Sequence, residues 1–260
     1  MKWLFIISAF TIIACSGFAG GKKNHEQKGM SAKKMNGSFT SIAVLELFTS
    51  EGCSSCPPAD RLLPQLATLD SNVIPLSFHV DYWDHLGWKD PFSSAVFSER
   101  QREYGQRFNL ESIYTPQLII NGEYELVGSN RSSAEREIKN VLVEKTGTQI
   151  IIDEVKKQNN KLIVTIHANG IPITIGMNDV NLLAAIVQKY AEMSVKAGEN
   201  RGSKLAHTNV VRTFIKQSIK EKMNFEIEVP GDLENNNWQL ILYTQQKNDL
   251  KITGAAVYNN

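Results

Sequence analysis

The sequence predicts an α/β domain with the element order βαβαββα at residues 41–147, followed by an all-β, sandwich-like domain at residues 148–260. Two patterns predict this division. Before Gly147, apolar runs alternate with stretches of helical periodicity, as in mixed α/β structure. After Gly147, short runs of alternating polar and apolar residues replace the helical pattern, as in antiparallel sheets. With 260 residues, 42% of them hydrophobic, the chain has enough apolar material for two ordinary domains.

The first region contains four predicted strands and three predicted helices. The strands are predicted at residues 42–48, 73–80, 117–120 and 123–127. The helices are predicted at residues 59–69, 93–108 and 132–145, where apolar side chains recur at helical spacing. Asn121-Gly122, between the last two strands, is typical of a tight hairpin turn. Together these elements define the order βαβαββα.

The second region contains six runs with strand character. They are predicted at residues 149–155, 161–168, 180–190, 222–229, 238–244 and 250–258. Their number and spacing predict a small antiparallel sandwich. The polar stretch of residues 198–212 is interpreted as a solvated hairpin, with a contact surface against the first domain as the alternative.

Residues 1–19 have the pattern of an export signal. Met1-Lys2 provides a short positive start, and residues 3–13 are apolar but shorter than the roughly 20 residues that span a membrane. Ile12-Ile13-Ala14-Cys15 resembles the lipobox of bacterial lipoproteins, whose cysteine is lipidated after cleavage. The alternative is ordinary cleavage near residues 17–19, which removes Cys15. We therefore expect a periplasmic protein anchored to the membrane through a lipid on Cys15, or otherwise a soluble periplasmic or secreted protein.

Residues 20–40 are predicted to be a flexible basic tether, because they carry five Lys against one Glu and almost nothing that could pack. From Ile42 onward the chain has 22 basic and 26 acidic residues. A slightly negative folded part has no basic surface of the kind that binds nucleic acid. We expect no nucleic-acid partner.

Cys53-Ser54-Ser55-Cys56 lies where the first predicted strand meets the first predicted helix. Two cysteines at this spacing can form a disulfide, bind a soft metal, or cycle between thiol and disulfide. The N–H groups at a helix start favour thiolate, so Cys53 is expected to attack and Cys56 to resolve the mixed disulfide. Pro57 and Pro58 after the motif, and the negative charge of Glu51 before it, act against a strongly stabilised thiolate. A permanent structural disulfide is the alternative.

Further candidate residues lie near the predicted end of the second strand. His79 and Asp81 share one face of an extended segment, and Trp83 follows them. With both cysteines, His79 or His85 could form a copper or zinc site, or supply a general base. Glu46 is a candidate proton acceptor under the dithiol. The alternatives are a structural loop for the histidine segment and a locally paired carboxylate for Glu46.

The strand Glu46-Leu47-Phe48-Thr49 before the cysteines, and the segment Thr115-Pro116-Gln117-Leu118-Ile119-Ile120, resemble the thioredoxin and glutaredoxin fold. The resemblance implies a thioredoxin-like domain at residues 41–147. It also implies that Pro116 is cis and that Thr115 and Pro116 form a groove for an extended peptide. Such a protein uses no cofactor other than its redox-active cysteine pair.

Residues 45–58, 79–91 and 114–116, with the polar stretch of residues 198–212, resemble the exported bacterial family classed as domain of unknown function 1223. The family resemblance implies a thioredoxin-like domain followed by a β domain and supplies no substrate. We expect an exported thiol–disulfide oxidoreductase, whose partners are thiols or disulfides of exported proteins and an unidentified redox partner. The alternatives are a metal-binding or metal-delivery module and a non-catalytic binding protein with a structural disulfide.

Overall fold

The structure of the chain is a computed structural model that describes residue 1 and residues 41–144, 147–171, 176–233 and 236–260. The predicted export signal with Cys15 and the predicted tether of residues 20–40 lie outside the described residues, Met1 excepted. No helix of the described part is long and apolar enough to cross a membrane.

The described residues form eleven strands and three α-helices. The strands are β1 (Ala43–Thr49), β2 (Val73–His79), β3 (Gln117–Ile120), β4 (Tyr124–Val127), β5 (Gln149–Gln158), β6 (Lys161–Asn169), β7 (Val180–Ser194), β8 (Lys204–Ser218), β9 (Lys222–Glu228), β10 (Trp238–Gln246) and β11 (Ile252–Asn259). The helices are α1 (Pro57–Leu66), α2 (Ala95–Arg107) and α3 (Arg131–Val143), and short 3-10 turns cover Asp84–Leu86 and Met177–Asp179.

Each helix begins at residues that suit a helix start. The first two residues of α1 are prolines, whose fixed φ suits the first turn. Ser94 caps α2 by accepting a hydrogen bond from Val96 N at 3.3 Å. Asn130 caps α3 by accepting one from Ser133 N at 3.2 Å. The helices therefore lie close to the segments predicted from apolar periodicity.

Eight strands form one mixed sheet in the order β11-β10-β7-β8-β2-β1-β3-β4. Within it, β1 runs parallel to β2 and β2 runs parallel to β8, while the other neighbours are antiparallel. A second, antiparallel sheet has the order β5-β6-β9. The large sheet therefore contains strands from both predicted domains.

The prediction of an α/β thioredoxin-like domain (βαβαββα) followed by a separate sandwich-like domain is wrong. The described chain is mostly β, and its N-terminal strands have no sheet of their own, because β2 pairs with β8 at Ser77 and Val210. Two side-chain hydrogen bonds strengthen this junction. Ser77 Oγ donates to Thr208 O at 2.8 Å, and Asn209 Nδ2 donates to Pro75 O at 2.9 Å.

The burial of β2 explains why it pairs with β8. All seven of its residues are buried, and a buried strand at a sheet edge would leave a row of backbone N–H and C=O groups without partners. β8 supplies a neighbour on the side that β1 does not occupy. The interpretation of residues 198–212 as a solvated hairpin missed this strand, in which Leu205, His207 and Asn209 are buried at alternate positions.

Three apolar clusters hold the sheets and helices together. One packs α1 and α3 on β1 and β3, and includes Leu45, Leu63 and Ile138. A second packs α2 on the opposite face of β1 and on β2, β7 and β10, and includes Phe48, Phe78 and Tyr243. The third lies between the two sheets and includes Val164, Leu182 and Trp238. The first two clusters cover both faces of β1, so the loop that follows it starts from a fixed position.

Candidate functional site

The two cysteines form a disulfide in the loop between β1 and α1. The sulfur atoms are 2.16 Å apart and the Cα atoms 5.4 Å apart. Backbone hydrogen bonds hold the loop, since Cys53 N donates to Ser50 O and Cys56 N donates to Cys53 O, both at 3.2 Å. Below, residues 50–56 are called the dithiol loop.

The start of α1 provides no free backbone donor for a thiolate at Cys53. Pro57 and Pro58 have no N–H. The N–H groups of Ala59 and Asp60 both donate to Cys56 O, at 2.9 and 3.2 Å. The stabilisation of a Cys53 thiolate that a helix start usually provides is therefore weakened by the two prolines.

The segment before β3 lies beside the disulfide. The peptide bond between Thr115 and Pro116 is cis, as the resemblance implied. Cys53 Sγ lies 3.8 Å from Thr115 O, and Ser55 Oγ donates to the same oxygen at 3.4 Å. Trp83 Nε1 donates to Thr115 Oγ1 at 2.8 Å. The structure therefore brings the predicted site residues Cys53, Thr115, Pro116 and Trp83 together.

The disulfide itself is buried. Cys53 and Cys56 are each 0% exposed, although Ser54 and Ser55 between them are exposed. A partner thiol therefore reaches the sulfur atoms only after a local movement of the surrounding groups.

The loop between β7 and β8, residues 195–203, packs against the dithiol loop. Asn200 Nδ2 donates to Glu51 O at 2.8 Å and to Cys53 O at 2.9 Å. Glu199 Oε2 accepts a hydrogen bond from Ser54 N at 3.1 Å. The sequence contains no local pattern that marks Asn200 for this role, because a polar residue in a hairpin is ordinarily solvated.

Three buried titratable side chains lie in the dithiol loop or next to it. Glu51, two residues before Cys53, and Asp60, four residues after Cys56, both approach His207 of β8. His207 Nε2 lies 3.4 Å from Glu51 Oε1, and His207 Nδ1 lies 3.7 Å from Asp60 Oδ1. Each of the three residues is at most 5% exposed. We call Glu51, Asp60 and His207 the buried triad.

The environment of His207 keeps its ring charged at neutral pH. Burial by itself would lower the pKa of His207, but Asp60 and Glu51 oppose this effect and raise the pKa to about 10. His207 was predicted only as part of the polar stretch of residues 198–212, and Asp60 was given no role, since a lone histidine in a polar stretch and an acid in a helix are both common.

His79 and Asp90 form a second buried pair beside the triad. His79 Nδ1 lies 2.6 Å from Asp90 Oδ2, which also accepts a hydrogen bond from Glu51 N at 2.9 Å. Burial acts to raise the pKa of Asp90, but the charge and hydrogen bond of His79 lower it below its ordinary value. The His79 and His207 rings pack edge to face with centroids 4.6 Å apart. The candidate residue His79 therefore contacts the triad through its ring.

Glu46 belongs to a different buried network. Arg100 donates two hydrogen bonds to its carboxylate, each at 2.7 Å, and the hydroxyl groups of Tyr104 and Tyr243 also donate to it. Burial acts to lower the pKa of Arg100, but Glu46 raises it well above the ordinary value. None of the hydrogen bonds that the described residues make to Glu46 comes from the dithiol loop. The network ties β1 to α2 and β10.

Asp81 and His85 also have partners away from the cysteines. Asp81 Oδ1 accepts a hydrogen bond from Ser98 Oγ at 2.5 Å, and His85 Nδ1 lies 2.8 Å from Tyr82 O in an exposed turn. Within the described ranges, no group of three or more His, Cys, Asp or Glu side chains is arranged to hold a metal ion. The structure therefore does not bring Cys53, Cys56, His79 and His85 together as the alternative metal site predicted from the sequence.

The fold and site define a mostly β protein in which a buried Cys-Ser-Ser-Cys disulfide connects the first strand of a mixed sheet to the first helix. The chain belongs to the family described as protein of unknown function DUF1223, whose model matches residues 44–245. The family named from the sequence is thereby confirmed, and its description assigns no activity.

Two solved structures share this fold. Protein AGR_C_4864 from Agrobacterium tumefaciens is 24% identical with a TM-score of 0.63, over 85% of this chain and 95% of that one. HBP35 of Porphyromonas gingivalis is 15% identical with a TM-score of 0.60, over 86% of this chain and 76% of that one. At these identities the likeness concerns the fold alone. No protein of curated function matches the chain.

Proposed function

We propose that the protein is a thiol–disulfide oxidoreductase that reduces, forms or isomerises disulfides in exported proteins. The observation that supports this most is the position of the disulfide, with Cys53 Sγ 3.8 Å from the backbone carbonyl of Thr115. An extended segment of a substrate that hydrogen-bonds to the Thr115 backbone would bring its own sulfur next to Cys53. Pro116 and Trp83 line the same position beside Thr115 and Cys53. The cysteine pair itself carries the electrons, so the reaction uses no other cofactor.

The reaction exchanges one disulfide for another. A substrate thiolate forms a bond to Cys53 Sγ, while the Cys53–Cys56 bond breaks and its electron pair moves to Cys56 Sγ. The second substrate thiol, after losing its proton, attacks the substrate sulfur of the mixed disulfide and releases Cys53. The substrate dithiol is oxidised to a disulfide, the protein disulfide is reduced to two thiols, and two protons pass from substrate to protein. The reverse sequence reduces a substrate disulfide.

The proposal includes export to the periplasm with attachment through a lipid on Cys15. The basic start, the apolar stretch and the lipobox-like Ile12-Ile13-Ala14-Cys15 support it. In a bacterium that exports the full chain, labelled fatty acid should enter the wild-type protein and not the Cys15→Ser variant. Labelling of neither protein, with both recovered in the soluble periplasmic fraction, would favour ordinary signal cleavage.

Trapping tests the redox proposal. In cells, Cys56→Ser keeps the attacking Cys53 and lacks the resolving thiol, so we expect it to accumulate adducts with exported proteins that disappear on reduction. Cys53→Ser and the double serine variant are the matched controls and should form none. The proposal fails if Cys56→Ser forms no adducts and the wild-type disulfide exchanges with glutathione no faster than the disulfide of an unstructured peptide.

A second candidate function is a non-catalytic binding protein in which the disulfide is structural. The 0% exposure of both cysteines favours it, because buried structural cysteines are unreactive. In this case the disulfide should be reduced only as fast as the whole protein unfolds. The double serine variant should then lose about 2 kcal/mol of stability, as expected for so short a loop, and retain all partner binding.

A further inference from the structure

The buried triad contains polar atoms that lack hydrogen-bond partners among the described residues. These atoms are Glu51 Oε1, Asp60 Oδ2, His207 Nδ1 and His207 Nε2. Buried polar atoms are normally paired, so each of these exceptions calls for an explanation. At 3.4 and 3.7 Å, charge rather than hydrogen bonding holds His207 to the two carboxylates.

Each carboxylate of the triad is anchored by a hydrogen bond, and each belongs to a residue that lies within four positions of a cysteine in the sequence. Trp88 Nε1 donates to Glu51 Oε2 at 2.8 Å, and Thr49 Oγ1 donates to Asp60 Oδ1 at 2.9 Å. Cys56 directly precedes α1 with helical backbone angles, and Asp60 follows it by one turn, so the two side chains lie on the same side of the start of α1. These hydrogen bonds hold one oxygen of each carboxylate in place, so moving a carboxylate away from developing charge on the sulfur atoms would break one of them.

The other charged groups near His207 do not neutralise Glu51 and Asp60 in its place. His79 faces its ring, but this side chain is paired with Asp90. Arg212 lies over the ring of Phe92 at 5.4 Å from the ring centroid, and its guanidinium donates to Asp232 Oδ2 at 2.7 Å. Glu199, which accepts from Ser54 N, adds a further negative group at the dithiol loop. His207 is thus the cation in contact with both carboxylates.

We propose that His207 is a positioning residue for the chemistry of Cys53 and Cys56, whose buried positive charge offsets Glu51 and Asp60 so that a thiolate can form at the dithiol. This inference rests on the proposed function. When the disulfide opens, Cys56 Sγ becomes negative one turn from Asp60, and burial strengthens the repulsion between like charges. Since the proline start of α1 offers no free N–H, His207 supplies the compensating charge.

The experiment measures how the alkylation rate of the reduced protein by iodoacetamide depends on pH, which reports the thiol pKa. For His207→Gln we expect the midpoint of this pH dependence to rise by about one pH unit. Such a rise corresponds to about tenfold less thiolate at neutral pH. Glu51→Gln should shift it in the opposite direction by a similar amount. His85→Gln, which changes an exposed histidine outside the triad, should leave it unchanged.

The charge-balanced double variant His207→Gln with Glu51→Gln should return the midpoint to the wild-type value, which a purely structural role of His207 would not do. If the midpoint of the alkylation pH profile does not shift in Glu51→Gln, the inference is overturned, even if His207→Gln fails to fold. Midpoint shifts of the same sign in the two single variants would also overturn it. Alkylation needs no protein substrate. If the alkylation midpoints shift but Cys56→Ser traps no adducts, only the proposed function is contradicted. If adducts are trapped but the alkylation midpoints do not shift, only the role of His207 is contradicted.

Discussion

Asn200 donates a side-chain hydrogen bond to the carbonyl oxygen of Cys53 at 2.9 Å, across 147 positions of the sequence. The same amide group donates to Glu51 O at 2.8 Å, and Asn200 is 8% exposed. One side chain from the loop between β7 and β8 therefore donates to two carbonyl groups of the dithiol loop, of which Cys53 O also accepts a hydrogen bond from Cys56 N.

Replacing Asn200 by Ala should destabilise the protein by about 1–3 kcal/mol, because Glu51 O loses the hydrogen bond from Asn200 and Cys53 O keeps only the one from Cys56 N. It should also speed the reduction of the disulfide by dithiothreitol, since the dithiol loop becomes less constrained. Urea denaturation and a timed thiol assay measure the two effects. Asn140→Ala, which changes an exposed asparagine on α3, is the control. Equal stabilities of the two variants would contradict the role given to Asn200.

Arg100→Met should destabilise the protein by about 3–5 kcal/mol, because it leaves the buried carboxylate of Glu46 without its cation. Arg102→Met is a matched control on the same helix. Its ion pair with Glu99 is exposed by 49% and 65% on the two side chains, and its loss should cost at most about 1 kcal/mol. Guanidinium denaturation of both variants gives the comparison. If Arg100→Met lowers the free energy of unfolding no more than Arg102→Met does, the buried network contributes little to stability.

The ionisation of His207 should make stability depend on pH. Its pKa is raised from 6.5 to about 10 in the folded protein, so the folded state binds the proton more tightly than the unfolded state does. The stabilisation is complete below pH 6.5 and is lost as the pH rises towards 10. The difference in unfolding free energy between wild type and His207→Gln should therefore shrink across this range. A difference that stays constant or grows would mean that His207 is neutral in the folded protein.

Gly122→Ala should be more destabilising than Gly202→Ala. Both glycines have positive φ, +69° and +85°, so any side chain costs about 1–2 kcal/mol at either position. A Cβ at Gly122 would also lie 1.9 Å from Leu250 O, whereas Gly202 has nothing within 4 Å. Denaturation midpoints of the two variants test this. Similar losses of stability in the two variants would mean that the β3–β4 turn can move away from the loop between β10 and β11.

The elements of the N-terminal region were predictable because they depend on local patterns. Helical periodicity located α2 close to residues 93–108, and Asn121-Gly122 marked the turn between β3 and β4. β8 was not predictable in the same way. Its polar sequence lacks a regular alternation over its full length, and its partner β2 lies about 130 residues away.

The candidate site was partly predictable from the sequence. Cys53, Cys56, Thr115 and Pro116 are marked by the spacing of the cysteines and by a family resemblance. Asn200 and His207 lie on parts of the chain that reach the dithiol loop only through the pairing of β7, β8 and β2. No periodicity encodes such a contact.

The sequence by itself determined the cysteine pair, the family and the position of the first helices and strands, since short-range spacing and steric preference decide these features. The tertiary structure alone decided that one sheet joins both halves of the chain and that His207 lies between Glu51 and Asp60. The physical reason is that a buried strand satisfies its backbone groups with whichever strand completes the sheet. That choice depends on packing across the whole molecule and not on the residues of either strand alone.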